Sequence, residues 1–295
     1  MALRLPGDTG RVPELPEVQA LAERMTTACA GRTLARVDTL SVQVLKTFDP
    51  PVHALHGLPV REVGRHGKFL DLATEDGPHL VVHLARAGWV HERTSFPAAP
   101  PSRRGPLALR IVLDDGSGFD LTEQGTTKRL AAYVVTDPQL VPGVARLGPD
   151  ALAVTAQELG ALADGARQRL KTFLTDQAVM AGIGNAYSDE ILHAARLSPY
   201  AMASALKEEQ VERLHAAVRQ VLGTALEHAR SAPPGGLKSE KKAGLAVHGR
   251  AGERCPICGD TVRSVDFADS SLQYCPTCQT GGRTLADRRL SRLLK

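Results

Sequence analysis

Aromatic residues are scarce in this chain of 295: Phe, Tyr and Trp together make up 4%, and Trp89 is the sole tryptophan. The core must therefore be built from Leu, Val and Ala. No apolar run is long enough to cross a bilayer. Residues 1–12 lack the apolar centre of a secretory signal, so a cytoplasmic protein is expected, with no membrane partner. The formal net charge of +4 is too small to argue for nucleic acid by itself. Cysteine is also sparse, at five. Cys29 stands alone on the apolar face of a helix and reads as a buried thiol. The other four form two Cys-x-x-Cys pairs, which in an intracellular chain read as metal ligands before disulfides.

What is present falls into three stretches. From Val18 through Leu21, Met25 and Cys29, apolar residues recur at helical spacing, with Pro16 and Glu17 suited to the first turn. From Thr33 to about Asp137 the pattern turns to short apolar runs: Ala35–Leu45, Lys68–Leu72, Leu80–Leu84, Leu107–Leu113 and Arg129–Val135. Turns such as Glu75-Asp76-Gly77-Pro78 separate them, so an antiparallel β-sandwich beside the first helix is expected. Beyond a linker, helices are expected after the capping box Thr155-x-x-Glu158, over Ala166–Met180, and around Val211–Leu222. The fold class is thus α+β and multidomain.

Two motifs carry chemistry by spacing. Cys255-x2-Cys258 and Cys275-x2-Cys278, sixteen residues apart, can close one tetrahedral zinc site with no open position. Such a site is structural and folds a segment too small for its own core. Ala181-Gly182-Ile183-Gly184-Asn185 precedes a new helix, and glycines there let backbone N–H groups approach a phosphate, although a plain tight turn has the same signature.

Pro13-Glu14-Leu15-Pro16-Glu17-Val18, the Gly182-Ile-Gly-Asn-Ala-Tyr187 turn and the four-cysteine finger occur in one order. With Gly67-Lys68-Phe69-Leu70 and Leu147-Gly148-Pro149-Asp150, this set resembles the bacterial formamidopyrimidine-DNA glycosylase / endonuclease VIII family of base-excision repair enzymes. The resemblance runs from Pro13 to about Gln279. It implies a β-sandwich catalytic domain over 13–137 and a linker over 138–150. A helix–two-turn–helix domain over 151–235, a loop and zinc-finger hairpin over 236–279, and a basic tail over 280–295 complete the chain. It also implies a monomeric, nucleoid-associated glycosylase and abasic-site lyase acting on double-stranded DNA with damaged, oxidised bases or abasic sites.

In that reading Pro13 supplies the nucleophilic amine, Glu14 the general acid and Lys68 a phosphate contact. Asn185 grips the DNA backbone. Glu17 either supports the site through backbone N–H groups or is an ordinary helix-start carboxylate. Strand cleavage proceeds by β,δ-elimination from a Schiff base, and one structural Zn2+ is the only cofactor. Pro13 is internal as written, and an amide nitrogen cannot attack a sugar. Val12 stands where the family has its initiator methionine; a GTG start codon would be rendered as valine. The expectation is therefore that residues 1–12 are a start-site artefact or disordered.

The chain departs from the family pattern at the DNA-probing positions. Arg86 takes the place of an inserted methionine, and Lys128-Arg129-Leu130 stands for Arg-Arg-Phe, with Leu130 an apolar wedge. Trp89 is a core residue or a stacking platform. Ser270 occupies the place of the finger arginine, and Gly235–Leu245 is short for a lesion-capping loop. These changes point away from the usual 8-oxoguanine–cytosine preference. The competing readings are a lesion-binding protein without a nucleophile and, further off, a zinc-finger regulator.

Overall fold

The computed structural model describes residues 12–97, 101–102, 105–124, 128–233, 235–267 and 270–285. The chain forms two compact units: residues 12–147 with 229–240, and residues 148–228 with 241–285. Among the described residues, no helix is long and apolar enough to cross a membrane.

The first unit opens with helix α1, Leu15–Cys29, whose Leu15, Val18, Leu21, Ala22, Met25 and Cys29 are buried. That face packs on the neighbouring sheet, and it starts with Pro16 in the first turn, where no intrahelical N–H is lost. Burial pushes the Cys29 thiol up to about 12, which makes it an inert core group. Eight strands follow: β1 Leu34–Thr39, β2 Val60–His66, β3 Phe69–Thr74, β4 His79–His83, β5 Gly88–Arg93, β6 Leu107–Leu113, β7 Gly118–Glu123 and β8 Ala131–Val135. They form two four-stranded antiparallel sheets, ordered β1-β6-β7-β5 and β2-β3-β4-β8.

The structure corrects several sequence expectations. The first strand stops at Thr39 rather than Leu45, and residues 43–46 instead run beside β8 through a Leu45–Ala132 bridge. Strands β2 and β7 were not among the expected runs, because charged residues interrupt them. In β7 the polar residues are themselves buried: Asp120 takes the guanidinium of Arg110 at 2.7 Å, with Arg93 on its other oxygen. The stretch after Asp137 is not a bare linker. Val141 and Val144 are buried against Val81 and Val135, with Phe69, Tyr133 and Leu147 around them.

The second unit is helical: α2 Ala156–Asp164, α3 Leu170–Thr175, α4 Asn185–Ala194, α5 Glu208–Ser231 and α6 Leu237–Gly244, the last two reaching into both units. Thr155 and Glu158 close the expected capping box on α2. The helix expected over Ala166–Met180 shrinks to α3. Asp176 ends it by accepting from Gln168 Nε2 and from the Ala178 N–H, which turns the chain. The polar segment at Lys238–Lys242 is helical, as part of α6. The finger hairpin pairs β9, Arg263–Asp266, with β10, Ser271–Tyr274, and leads into the short α7, Pro276–Thr280. Of the basic tail, Arg283 is exposed and Leu285 packs on Val265, Leu272 and Tyr274; residues 286–295 lie outside the described residues, as do residues 1–11.

Candidate active site and nucleic-acid interface

The start of α1 is built from its own sequence. Pro13, Glu14 and Glu17 are all buried, the two carboxylates only 1% exposed. Glu14 is the N-cap, and it exchanges capping-box bonds with Glu17, whose Oε2 accepts the Glu14 N–H at 2.8 Å. Two dry carboxylates are tolerated here because the helix start presents N–H groups and the positive end of its dipole. Glu17 thus accepts the N–H of the residue after Pro13, a bond that an ordinary helix-start carboxylate also makes.

A chain of bonds runs from this helix to Lys68. Gln19 Oε1 accepts from Arg65 Nε at 2.9 Å, and Arg65 Nη1 donates to the Gly67 carbonyl at 2.8 Å. Gly67, at φ +54°, turns β2 into β3 and leaves Lys68 half-buried at the turn. Lys68 lies near His83, which burial and, secondarily, this ammonium push down to about 4, so His83 is neutral at physiological pH. Its ring tilts against Phe69 at 4.6 Å. On the same sheet Asp71 bridges His66 Nε2 and His79 Nδ1. Burial works against the Asp71 carboxylate, yet the bonds from His66 and His79 outweigh it and hold its pKa below the usual carboxylate range.

Arg86 is exposed on the turn between β4 and β5, next to Ala85 at φ +56°. Gly88 is required there, since a Cβ would lie 2.1 Å from the Leu84 carbonyl. Lys128 and Arg129 are exposed; Leu130 is not. It is 2% exposed, and its N–H is bound to Glu123, so the expected wedge would first have to leave the core. Trp89 is half-buried and lines a cavity of about 120 Å³ with Leu21, Met25, Phe119 and Leu237. Leu21 lies eight residues past Pro13, or roughly 12 Å along the helix at its usual rise. Pro13, Glu14 and Glu17 are not among the residues that line the cavity.

In the second unit, α4 begins after Gly182, at φ +107°, and is fastened from a distance. Gln177 braces the turn, accepting from the Gly182 N–H and donating to the Ile183 carbonyl. Lys171 Nζ donates to the Asn185 carbonyl, Ser188 Oγ and Asp189 Oδ1 at 2.7, 2.7 and 2.6 Å. Asp189, fully buried, also meets His248 Nδ1 at 2.7 Å and the Gln273 N–H. Glu190 accepts the N–H groups of Ala246, Val247 and His248; its burial raises its pKa despite those bonds. Asn185 Nδ2 donates to the Ser271 carbonyl at 2.8 Å, tying the turn to the finger hairpin. None of Lys171, Asp189, Glu190 and His248 was assigned a role from sequence, although Asp189 and Glu190 follow directly on the glycine turn, in the helix it opens.

The Sγ atoms of Cys255, Cys258, Cys275 and Cys278 all lie within 4.8 Å of one another. Two of the separations are 3.9 and 3.3 Å, near the edge of about 3.8 Å that four 2.3 Å zinc–sulfur bonds require. The donor set therefore fits zinc. His193 Nε2 lies 3.3 Å from Cys255 Sγ and links α4 to the site. At the hairpin tip the Phe267 N–H bonds the Ser270 carbonyl at 2.7 Å, with Ser270 exposed.

Comparison with known proteins gives a consistent result. Residues 12–130 match the formamidopyrimidine-DNA glycosylase N-terminal domain and residues 147–233 that glycosylase's H2TH domain. Residues 252–281 match the zinc finger found in FPG and IleRS. An uncharacterized formamidopyrimidine-DNA glycosylase-like protein of Mycobacterium tuberculosis is 58% identical over 149 residues, 50% of this chain and 94% of its own. The formamidopyrimidine-DNA glycosylase of Symbiobacterium thermophilum is 34% identical over 293 residues, covering 94% of this chain and 93% of its own. Among solved structures, MutM in complex with carbocyclic 8-oxo-G containing DNA superimposes with a TM-score of 0.80 at 24% identity, over 91% of this chain and all of that one.

Proposed function

The chain belongs to the formamidopyrimidine-DNA glycosylase family, and we propose that it is a bifunctional DNA glycosylase and abasic-site lyase. Its substrate is double-stranded DNA carrying damaged, chiefly oxidised, bases. The observation that carries this reading is the start of α1, where Pro13 adjoins two buried carboxylates joined in a capping box. Water is scarce there, so a side-chain acid beside the sugar meets little competition from solvent in passing a proton to a developing alkoxide.

The amine of Pro13 attacks C1′ of the flipped nucleotide and the bond to the base breaks, the base leaving with a proton. Glu14 protonates the ring oxygen as the sugar opens. The nitrogen, now an iminium, draws electrons as C2′ loses a proton and the 3′ phosphate departs; loss of a further proton expels the 5′ phosphate. Lys68 holds a flanking phosphate. Arg86, Lys128 and Arg129 face the duplex, while the second N–H of the Asn185 amide and the turn amides hold the backbone. One zinc ion on the four cysteines supplies folding free energy and takes no part in the chemistry.

Attack requires Pro13 as a free secondary amine, so residues 1–12 must be absent from the active protein. Borohydride trapping on abasic DNA with protein beginning at Pro13 tests the chemistry, and the mass of the native protein tests the terminus. A covalent adduct with the Pro13 form, and none with the chain starting at Met1, is expected. Binding to abasic DNA without any adduct from the Pro13 form would replace the enzyme with a lesion-binding protein of the same fold.

A further inference from the structure

The turn bearing Arg86 and the stretch Lys128–Leu130 share one anchor. Glu123, the last residue of β7, is 1% exposed. Its Oε1 accepts two consecutive backbone N–H groups, from Arg129 at 2.6 Å and from Leu130 at 3.0 Å. Its backbone carbonyl accepts from Lys128 Nζ. The same residue pairs with Gly88 across the sheet, and the next N–H, that of Gln124, donates to the Ala87 carbonyl at 3.2 Å. Arg129 is thus set in place by the buried Glu123 side chain, and Lys128 and the Arg86 turn by the backbone of Glu123 and Gln124.

Packing alone does not account for a carboxylate here. Among the described residues its second oxygen, Oε2, is buried and meets no hydrogen-bond partner, an arrangement that costs stability. An apolar residue would fill the space without that cost. What it could not do is fix two adjacent N–H groups, and with them the direction in which the side chains of 128 and 129 leave the backbone.

We propose that Glu123 is the positioning residue that sets discrimination of the base opposite the lesion, by holding the backbone of Arg129 and Leu130 against the Arg86 turn. This rests on the reading that these two segments meet DNA. Glu123 itself does not touch the nucleic acid; it acts through the loops.

Affinity for duplexes with a tetrahydrofuran abasic analogue opposite each of the four bases tests the proposal. Binding to this uncleavable analogue needs no nucleophile, so the result stands apart from whether Pro13 is reactive. The native chain is expected to rank the four duplexes. Glu123→Ala should compress the spread between best and worst roughly tenfold, the effect of losing a charge-assisted bond, with little change on single-stranded abasic analogue. Glu123→Gln, which keeps an acceptor at the same place, should retain the ranking. If Glu123→Ala does not fold, Glu123→Asp, which withdraws the acceptor by one methylene, should show part of the compression. Equal weakening of all four duplexes and the single strand, an unchanged spread in the alanine or aspartate variant, or a native chain that ranks no base, each overturns it.

Discussion

Two helix starts carry the candidate chemistry, and they are held in opposite ways. The start of α1 is capped within four residues: Glu14 and Glu17 cap each other and lie buried at the positive end of the dipole. The start of α4 is satisfied from far along the chain. Lys171, fourteen residues before Asn185, bonds its carbonyl; Ser271, eighty-six residues after, takes its amide. A self-capped start makes part of its own hydrogen bonding within one turn, while the sheet packed on α1 helps to keep it buried. The α4 start is a composite, so its geometry depends on the finger hairpin and on a part-buried cation. The first suits the proposed catalytic acid, and the second couples the proposed Asn185 anchor to the finger hairpin.

The largest expected effect breaks the composite start. Asp189, itself buried, neutralises the part-buried Lys171 and bonds the buried His248 and the Gln273 N–H. Asp189→Ala leaves the ammonium without its counter-charge, at a cost of about 3–5 kcal/mol. Urea unfolding followed by far-UV circular dichroism checks the loss. Hydrogen exchange should place it at 185–190 and 246–248, with α1 protected as before. Equal loss at both helix starts would remove the distinction between them.

That contrast also explains what could be read from sequence. Legible features are local: the helical spacing of α1, the Thr155–Glu158 box, the cysteine spacing, and the proline–glutamate hexapeptide. Features that escaped depend on partners remote in sequence. The polar residues of β7 look solvent-facing until Arg110 meets Asp120 and the Arg129 N–H meets Glu123. Lys171 reads as a surface lysine until α4 is folded onto it. Leu130 shows the converse: beside two exposed cations it suggests a wedge, but only the fold reveals that its side chain turns inward.

A smaller effect separates the units by pH. In the first unit His83 is held down at about 4 by burial and Lys68. The unfolded chain then binds more protons between pH 4 and about 6.5, so stability is present above that range and lost as pH falls through it. The loss from pH 7 to 5 is up to about 2 kcal/mol for a shift of this size. Glu190 in the second unit works the other way: its raised pKa favours the folded state at low pH and weakens it as pH rises through the folded value. Trp89, the only tryptophan, reports the first unit. Urea midpoints from its fluorescence should fall between pH 7 and 5, and His83→Gln should flatten that fall. A flat native profile would leave His83 without this role.

The smallest effect is the sharpest test of the self-contained start. Glu17→Ala removes one half of the box, and the cost of losing such a cap is about 1 kcal/mol. Because Glu17 Oε2 binds the N–H of Glu14, the residue adjoining Pro13, the same change frees the backbone that places both. A loss of capping alone predicts a small drop in urea midpoint and unchanged borohydride trapping. Misplacement of the amine predicts that same small drop with a fall in trapping rate of roughly tenfold or more, since small shifts in a reacting group are heavily penalised. Glu17→Gln, which keeps an acceptor for the Glu14 N–H, should restore trapping if position matters. If glutamine fails where alanine fails, the charge of Glu17 and not its hydrogen bond serves the site, and α1 would then hold two working acids.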